Sequence, residues 1–133
     1  DCLQVAALGG HLSSLEVTSD DVFSLLLSYS NCPVVTVDLN YVDRRGRRTL
    51  VVNTENHTYE ADLILHKLSV DLEEKIYDVG QDDTYKSMHR SFLMNDVNHL
   101  CSIKEGLSTL QLVDEARESA RLGEWREFVC KHD

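Results

Sequence analysis

The sequence predicts an α+β domain, an open and mostly antiparallel β-sheet with helices packed on one face. Three observations predict it. The first two-thirds of the chain alternates apolar and polar residues with period two. The last third switches to helical spacing behind recognisable caps. Strands therefore come first and helices last, the order of an α+β domain rather than of a βαβ repeat. The 133 residues leave room for one domain, residues 1–133. A chain of that size buries roughly two-thirds of its unfolded surface, so its core needs no disulfide or metal to hold it.

The strands follow in order. Leu3 to Leu8 is a short apolar strand, expected to stop at Gly9-Gly10. Val22 to Tyr29 alternates, with Phe23, Leu25, Leu27 and Tyr29 on one side and Val22, Ser24, Leu26 and Ser28 on the other. Ser30-Asn31-Cys32-Pro33 supplies turn chemistry. Val34 to Val42 alternates again, Val35, Val37, Leu39 and Tyr41 against Val34, Thr36, Asp38 and Asn40, and completes a hairpin. Arg48 to Thr54 is a third such strand, closed by a turn at Glu55-Asn56-His57. Tyr59 to Val70 is extended with a break near Asp62, and Lys75 to Val79 is the last short strand. One face of this sheet is almost wholly apolar and calls for helices. The other mixes Ser24, Ser28, Thr36, Asp38 and Asn40 with Val22, Leu26 and Val34, the pattern of a face that meets a partner.

The helices follow. Asp82 or Asp83 is expected to cap a helix running to about Met94, with Tyr85, Met88, His89 and Phe92 on one side and His89 a satisfied core histidine. Ser102-Ile103-Lys104-Glu105 has the spacing of a capping box. Behind it Ile103, Leu107, Leu110, Val113, Ala116 and Ala120 keep helical spacing, and Gly123 is a natural stop.

Composition narrows function. Thirteen Lys and Arg stand against 23 Asp and Glu, a net charge of −10. That surplus argues against nucleic acid and against an anionic membrane surface as partners. No stretch approaches the ~20 apolar residues of a membrane span. The six glycines give neither a G-x-G-x-x-G nor a P-loop spacing. The four cysteines, Cys2, Cys32, Cys101 and Cys130, form no C-x-x-C, so no zinc site is expected. Free buried thiols in a cytoplasmic protein are the expectation. The chain starts at Asp1-Cys2-Leu3 without an initiating Met, and we read it as a fragment of a longer protein.

Two constellations carry chemistry. Arg44, Arg45, Arg47 and Arg48 place four of the 13 basic residues within five positions. They are either a solvated hairpin tip or a fork for a phosphate or carboxylate, to which guanidinium geometry is suited. Asp96, His99 and Cys101 are close in sequence; they are either loop polars or a thiol activated by its neighbouring imidazole.

Three stretches bear a family likeness: Ser24 to Asn31; Val37-Asp38-Leu39-Asn40-Tyr41-Val42-Asp43-Arg44 through Arg48; and Tyr85 to Leu93 with Ser102 to Leu107 and Glu115-Ala116-Arg117-Glu118-Ser119-Ala120. On these, from about Thr18 to Val129, the sequence resembles the C-terminal domain of the glucose–fructose oxidoreductase, inositol 2-dehydrogenase and MocA-like (Gfo/Idh/MocA) family of NAD(P)-dependent oxidoreductases. Two details depart from that family: Cys32 stands where Gly is usual, and the arginine turn lacks Pro.

The resemblance implies a parent enzyme that uses NAD or NADP, with no cofactor, metal or catalytic residue in this fragment. The missing N-terminal Rossmann domain would carry the dinucleotide. The resemblance further implies a sugar, cyclitol or nucleotide-sugar substrate and a homo-oligomer formed through the sheet face. Asn40, Tyr41, Arg44, Arg47 and Arg48 become the substrate-binding candidates. The arginines would hold phosphate or carboxylate, and Asn40 or Tyr41 sugar hydroxyls. A competing expectation for Tyr41 is a core ring with its OH at the rim. A competing expectation for the whole chain is a free-standing module that binds an acidic sugar or a phosphate.

Overall fold

The computed structural model describes residues 1–128. The order of elements is β1 (Cys2–Gly10), β2 (Val22–Tyr29), β3 (Val35–Asn40), β4 (Thr49–Asn53), β5 (Thr58–Asp62), β6 (Lys67–Val70), β7 (Glu73–Ile76), α1 (Asp83–Leu93), a 3-10 turn (Val97–His99), α2 (Ile103–Leu122) and β8 (Arg126–Glu127). Every strand pairing is antiparallel. The strands form two four-stranded sheets, β3-β2-β1-β8 and β4-β5-β6-β7. The chain divides into two compact units, Asp1–Asp43 with the chain from Cys101 onward, and Arg44–Leu100.

The first unit holds the core. Val5 pairs with Leu27 and Ala7 with Leu25, and Leu27 pairs in turn with Val35 and Leu25 with Val37. The period-two alternation thus puts the apolar members of three strands on one face. Against that face α2 lays Ala116 and Ala120, with Leu112 beside them and Phe128 closing the cluster. The small Ala116 and Ser119 let the helix approach β1 closely, and both are buried. The opposite face keeps Ser24, Leu26, Thr36 and Asp38 exposed. There the cross-strand partners Ser24 and Asp38 share a hydrogen bond of 2.6 Å from the hydroxyl to the carboxylate.

The helical spacing in α2 divides where the sequence offered one stripe. Ala116 and Ala120 face β1, but Ile103, Leu107 and Leu110 are exposed. The Ser102 capping box forms as its spacing required, and Gly123 ends the helix at φ 72°. Gly9 and Gly10 do not stop β1, which runs through both to pair with Phe23 and Val22. β8 is only two residues long, too short to leave a periodic signal.

In the second unit the break expected near Asp62 is the 63–66 turn, where Asp62 Oδ1 accepts from the amides of Ile64 and Leu65. The last strand lies at Glu73–Ile76, earlier than the Lys75 to Val79 the alternation indicated. Helix α1 starts after Asp82, whose side chain makes no cap; Asp83 instead accepts from the Gly80 amide at 2.8 Å. His89 is exposed rather than a core histidine, as are Tyr85, Met88 and Phe92, and the buried residue of α1 is Ser91.

The cysteines need a correction. Cys2 is buried, as expected, and burial pushes its thiol up from its ordinary pKa. Cys32 and Cys101 are exposed free thiols. Cys32 precedes Pro33 and Cys101 precedes the Ser102 cap of α2, both outside regular secondary structure. Cys130 lies outside the described residues.

Candidate functional site

At one end of the first sheet, Val22 pairs with Gly10 on one side and Asn40 on the other. The loop of residues 11–21 returns the chain to this point. Asp21 closes the loop. Its side chain is fully shielded, and its carboxylate accepts from the Leu12 amide at 2.7 Å, the Ser13 amide at 3.0 Å and the Ser13 hydroxyl at 2.5 Å. The His11 ring stands 3.2 Å away. These donors, the Ser13 hydroxyl first, hold the acid in its charged form and lower its pKa to about 2. The Asp21 backbone ties the neighbouring strands as well, donating to the Gly10 carbonyl at 3.0 Å and accepting from the Tyr41 amide at 2.8 Å.

Of the residues singled out in the sequence, Asn40 and Tyr41 stand on this first unit. Asn40 ends β3 and turns its Oδ1 onto the Val42 amide at 2.9 Å, an Asx-type turn that fixes the start of the arginine segment. Tyr41 is 74% exposed, so its ring is not part of the core. Arg44, Arg47 and Arg48 belong to the second unit, in the irregular stretch before β4, and all three are exposed. The Arg48 carbonyl accepts from the Leu63 amide at 2.9 Å and anchors the base of the β4–β5 hairpin.

A cleft of about 350 Å³ lies beside Asp21, lined by Gly9, Gly10, Ser19, Asp20, Phe23 and Arg117 among others. Across it Arg117 Nε donates to Asp20 Oδ2 at 2.8 Å. Sequence reading missed Asp20, Asp21 and Arg117. Asp20 and Arg117 are 97 positions apart, and nothing local in the sequence joins them.

The Asp96, His99 and Cys101 constellation is loose. His99 Nε2 is 4.0 Å from Asp96 Oδ2, and the Cys101 thiol donates to the Ser102 carbonyl at 3.4 Å. Asp96 instead accepts from the Asn98 amide, as the cap of the 3-10 turn. Among the described residues no group of three or more His, Cys, Asp or Glu is placed to hold a metal ion. Among them, too, no helix is long and apolar enough to cross a membrane.

Solved structures share this architecture. Levoglucosan dehydrogenase in complex with NADH and L-sorbose matches 97% of the chain with a TM-score of 0.81 at 13% identity. The fold is that of the Gfo/Idh/MocA-type oxidoreductases. The WlbA dehydrogenase from Bordetella pertussis, in complex with NADH and UDP-GlcNAcA, matches 96% of the chain with a TM-score of 0.70 at 18% identity. An oxidoreductase from Agrobacterium radiobacter, in complex with NAD+, L-tartaric acid and magnesium, matches 96% with a TM-score of 0.75 at 16% identity. The match takes up 45%, 40% and 44% of those three chains, so this chain spans less than half their length. It corresponds to the C-terminal part of these Gfo/Idh/MocA-type dehydrogenases, as the resemblance implied. No protein-family model and no curated protein sequence matches the chain.

The dinucleotide bound by those proteins tests the helix termini. The first turn of α2 is closed by its own acid, because Glu105 accepts from the Ser102 amide at 2.7 Å while the Ser102 hydroxyl takes the Glu105 amide. A pyrophosphate there would meet a carboxylate whose pKa those bonds, the Ser102 amide first, hold down. At the start of α1 the Asp83 carboxylate stands on the Gly80 amide, so a phosphate there too would meet an acid. These residues do not fit a dinucleotide phosphate.

Proposed function

We propose that the chain is the substrate-binding and oligomerisation domain of an NAD(P)-dependent oxidoreductase that acts on a sugar, cyclitol or nucleotide sugar. The observation that carries this reading is the fold match to sugar dehydrogenases over nearly the whole chain. The dinucleotide, NAD or NADP, would sit on an N-terminal Rossmann domain. Such a domain would account for the larger part of those chains, which is left unmatched. On this side of the active site Asn40 and Tyr41 would hydrogen-bond sugar hydroxyls. Arg44, Arg47 and Arg48 would hold a phosphate or carboxylate as bidentate donors. The exposed mixed face of the first sheet would meet a second subunit, and the protein would work in the cytoplasm.

The gene decides the parent. A reading frame that encodes a strand, G-x-G-x-x-G and a helix before Asp1 is expected. The full product is then expected to reduce NAD+ or NADP+ with cyclitols or nucleotide sugars. Replacing Arg47 and Arg48 by Ala is expected to raise KM for phosphorylated substrates more than for neutral ones. A reading frame without that motif refutes the proposal.

A further inference from the structure

We infer that the free edge of β4 takes up an extended peptide as an added antiparallel strand, one that alternates apolar residues and ends in acidic ones. Every residue this needs lies in the second unit, so the inference stands apart from the dehydrogenase reading.

Among the described residues four strands end a sheet, β3 and β8 in the first and β4 and β7 in the second. Exposed edges are ordinarily blunted by charge, proline or a bulge. β3 carries Asp38 within it, β8 is Arg126-Glu127, and β7 carries Glu73, Glu74 and Lys75. β4 differs. It reads Thr49-Leu50-Val51-Val52-Asn53, with no charge and no proline, every residue exposed, and an unbroken register with β5.

The hydrogen bonds fix which of its groups point outward. The Leu63 N–H donates to the Arg48 carbonyl and the Thr54 N–H to the His57 carbonyl, both at 2.9 Å. In an antiparallel pair such bonds return at every second residue, so Leu50 and Val52 bond to β5. The N–H and C=O groups of Thr49, Val51 and Asn53 therefore point away from β5, and no described residue pairs with them.

A strand laid antiparallel on this edge exchanges both bonds with each of those three residues. Its residues opposite Leu50 and Val52 extend the apolar face that those two share with Ala61 and Tyr59 across the ladder. Its residues past Thr49 meet Arg48 and Arg47, with Arg45 and Arg44 beyond, whereas the other end of β4 leads to Glu55. Charge therefore sets the direction, and acids belong at the C-terminal end of the added strand.

The test adds a peptide capped at both ends, Thr-Val-Thr-Val-Thr-Asp-Asp, to the isotopically labelled chain. In the antiparallel register its two aspartates fall opposite Arg48 and Arg47. Binding is expected with a Kd of about 1 mM, as suits so small a contact. Hydrogen exchange is expected to slow severalfold at the amides of Thr49, Val51 and Asn53 and to stay unchanged at Leu50 and Val52. A peptide with lysines in place of both aspartates is expected to bind about tenfold more weakly. Val51→Pro removes an outward N–H that β5 does not use, a change an edge strand tolerates, and is expected to abolish binding at a nearly unchanged melting temperature. If that variant melts early, the lysine peptide on the wild-type chain still decides. No protection at about 5 mM peptide would overturn the inference, since a site of this kind would then be mostly filled. Equal binding of the lysine peptide would overturn it as well. So would protection of the same amides on concentrating the chain alone, which would make the occupant a second copy. None of these outcomes touches the dehydrogenase reading, which the gene decides.

Discussion

The Ser119 hydroxyl accepts the backbone N–H of Ala7 at 2.9 Å and donates its own proton to the Glu124 carbonyl at 2.6 Å. One side chain thereby finishes two unrelated pieces of backbone. Among the described residues β8 pairs with β1 at Gln4 and Val5, short of the Ala7 amide. The Glu124 carbonyl lies just past the end of α2. Ser119 is 1% exposed.

Ser119→Ala therefore leaves a buried donor without an acceptor. The expected cost is about 1–3 kcal/mol, the usual range for an unsatisfied buried polar group. Urea unfolding of the variant measures it. A midpoint within error of the wild type would mean that the helix shifts to open the site to solvent.

Asp21 predicts an acid limb in the stability profile. Its pKa is lowered from 3.8 to about 2 in the folded chain. A carboxylate depressed in this way stabilises the fold fully above pH 4 or so, and that stabilisation fades as the pH falls through the folded value. Asp71, held down chiefly by His57, and Glu118, held down chiefly by Arg121, add to the same limb. Asp21→Asn is expected to be less stable at neutral pH, since an amide cannot accept from all the donors that the carboxylate holds. It is also expected to lose part of the slope between about pH 4 and pH 2. Thermal melts over that range distinguish the two proteins, and parallel curves would contradict the assignment.

The two adjacent glycines of β1 are predicted to fail for different reasons. Gly9→Ala drives a methyl into the Phe23 ring and the β2 backbone, so the strand pair must move apart. Gly10→Ala meets no atom but must adopt a φ of 144°, which L-residues rarely hold. The first substitution is expected to disturb the spectra of β2 and the core. The second is expected to lower stability with little change beyond the 11–21 loop. Amide chemical-shift maps of the two variants make the comparison, and equal disturbance of the core by both would be wrong for this geometry.

These cases show what the sequence made legible. Alternation placed β2 on its observed bounds, because every second residue from Phe23 to Tyr29 is apolar and the pairing is local. The Ser102 cap was legible for the same reason, since both partners lie within one turn. Ser119 and Asp21 were not. Ser119 acts on a strand 112 positions away, and Asp21 acts through backbone amides of a loop that carries no periodicity. The division of α2 was hidden as well. Ile103 and Ala116 share a spacing rule, but only the small residue lies where β1 runs. Asn40 and Tyr41 stand out in the sequence as the end of an alternating strand, whereas Asp20 and Arg117 meet only through the fold.

The mixed face of the first sheet carries the last prediction. Leu8 in β1 is 74% exposed and Leu26 in β2 39%, on strands whose other face is already covered by α2, and Val34 just before β3 is 68% exposed. Around them Ser24, Thr36 and Asp38 keep the face wettable, the mixture expected of a contact between subunits rather than of a core. Two copies related by a two-fold axis would bring the same residues of each together. Leu26→Asp would then set two carboxylates against each other at the centre of that contact. The expected result is a shift from oligomer to monomer in light scattering, with the melting temperature of the isolated chain nearly unchanged. A wild-type chain that is monomeric at high concentration would refute the contact, and a variant that still associates would place it elsewhere on the molecule.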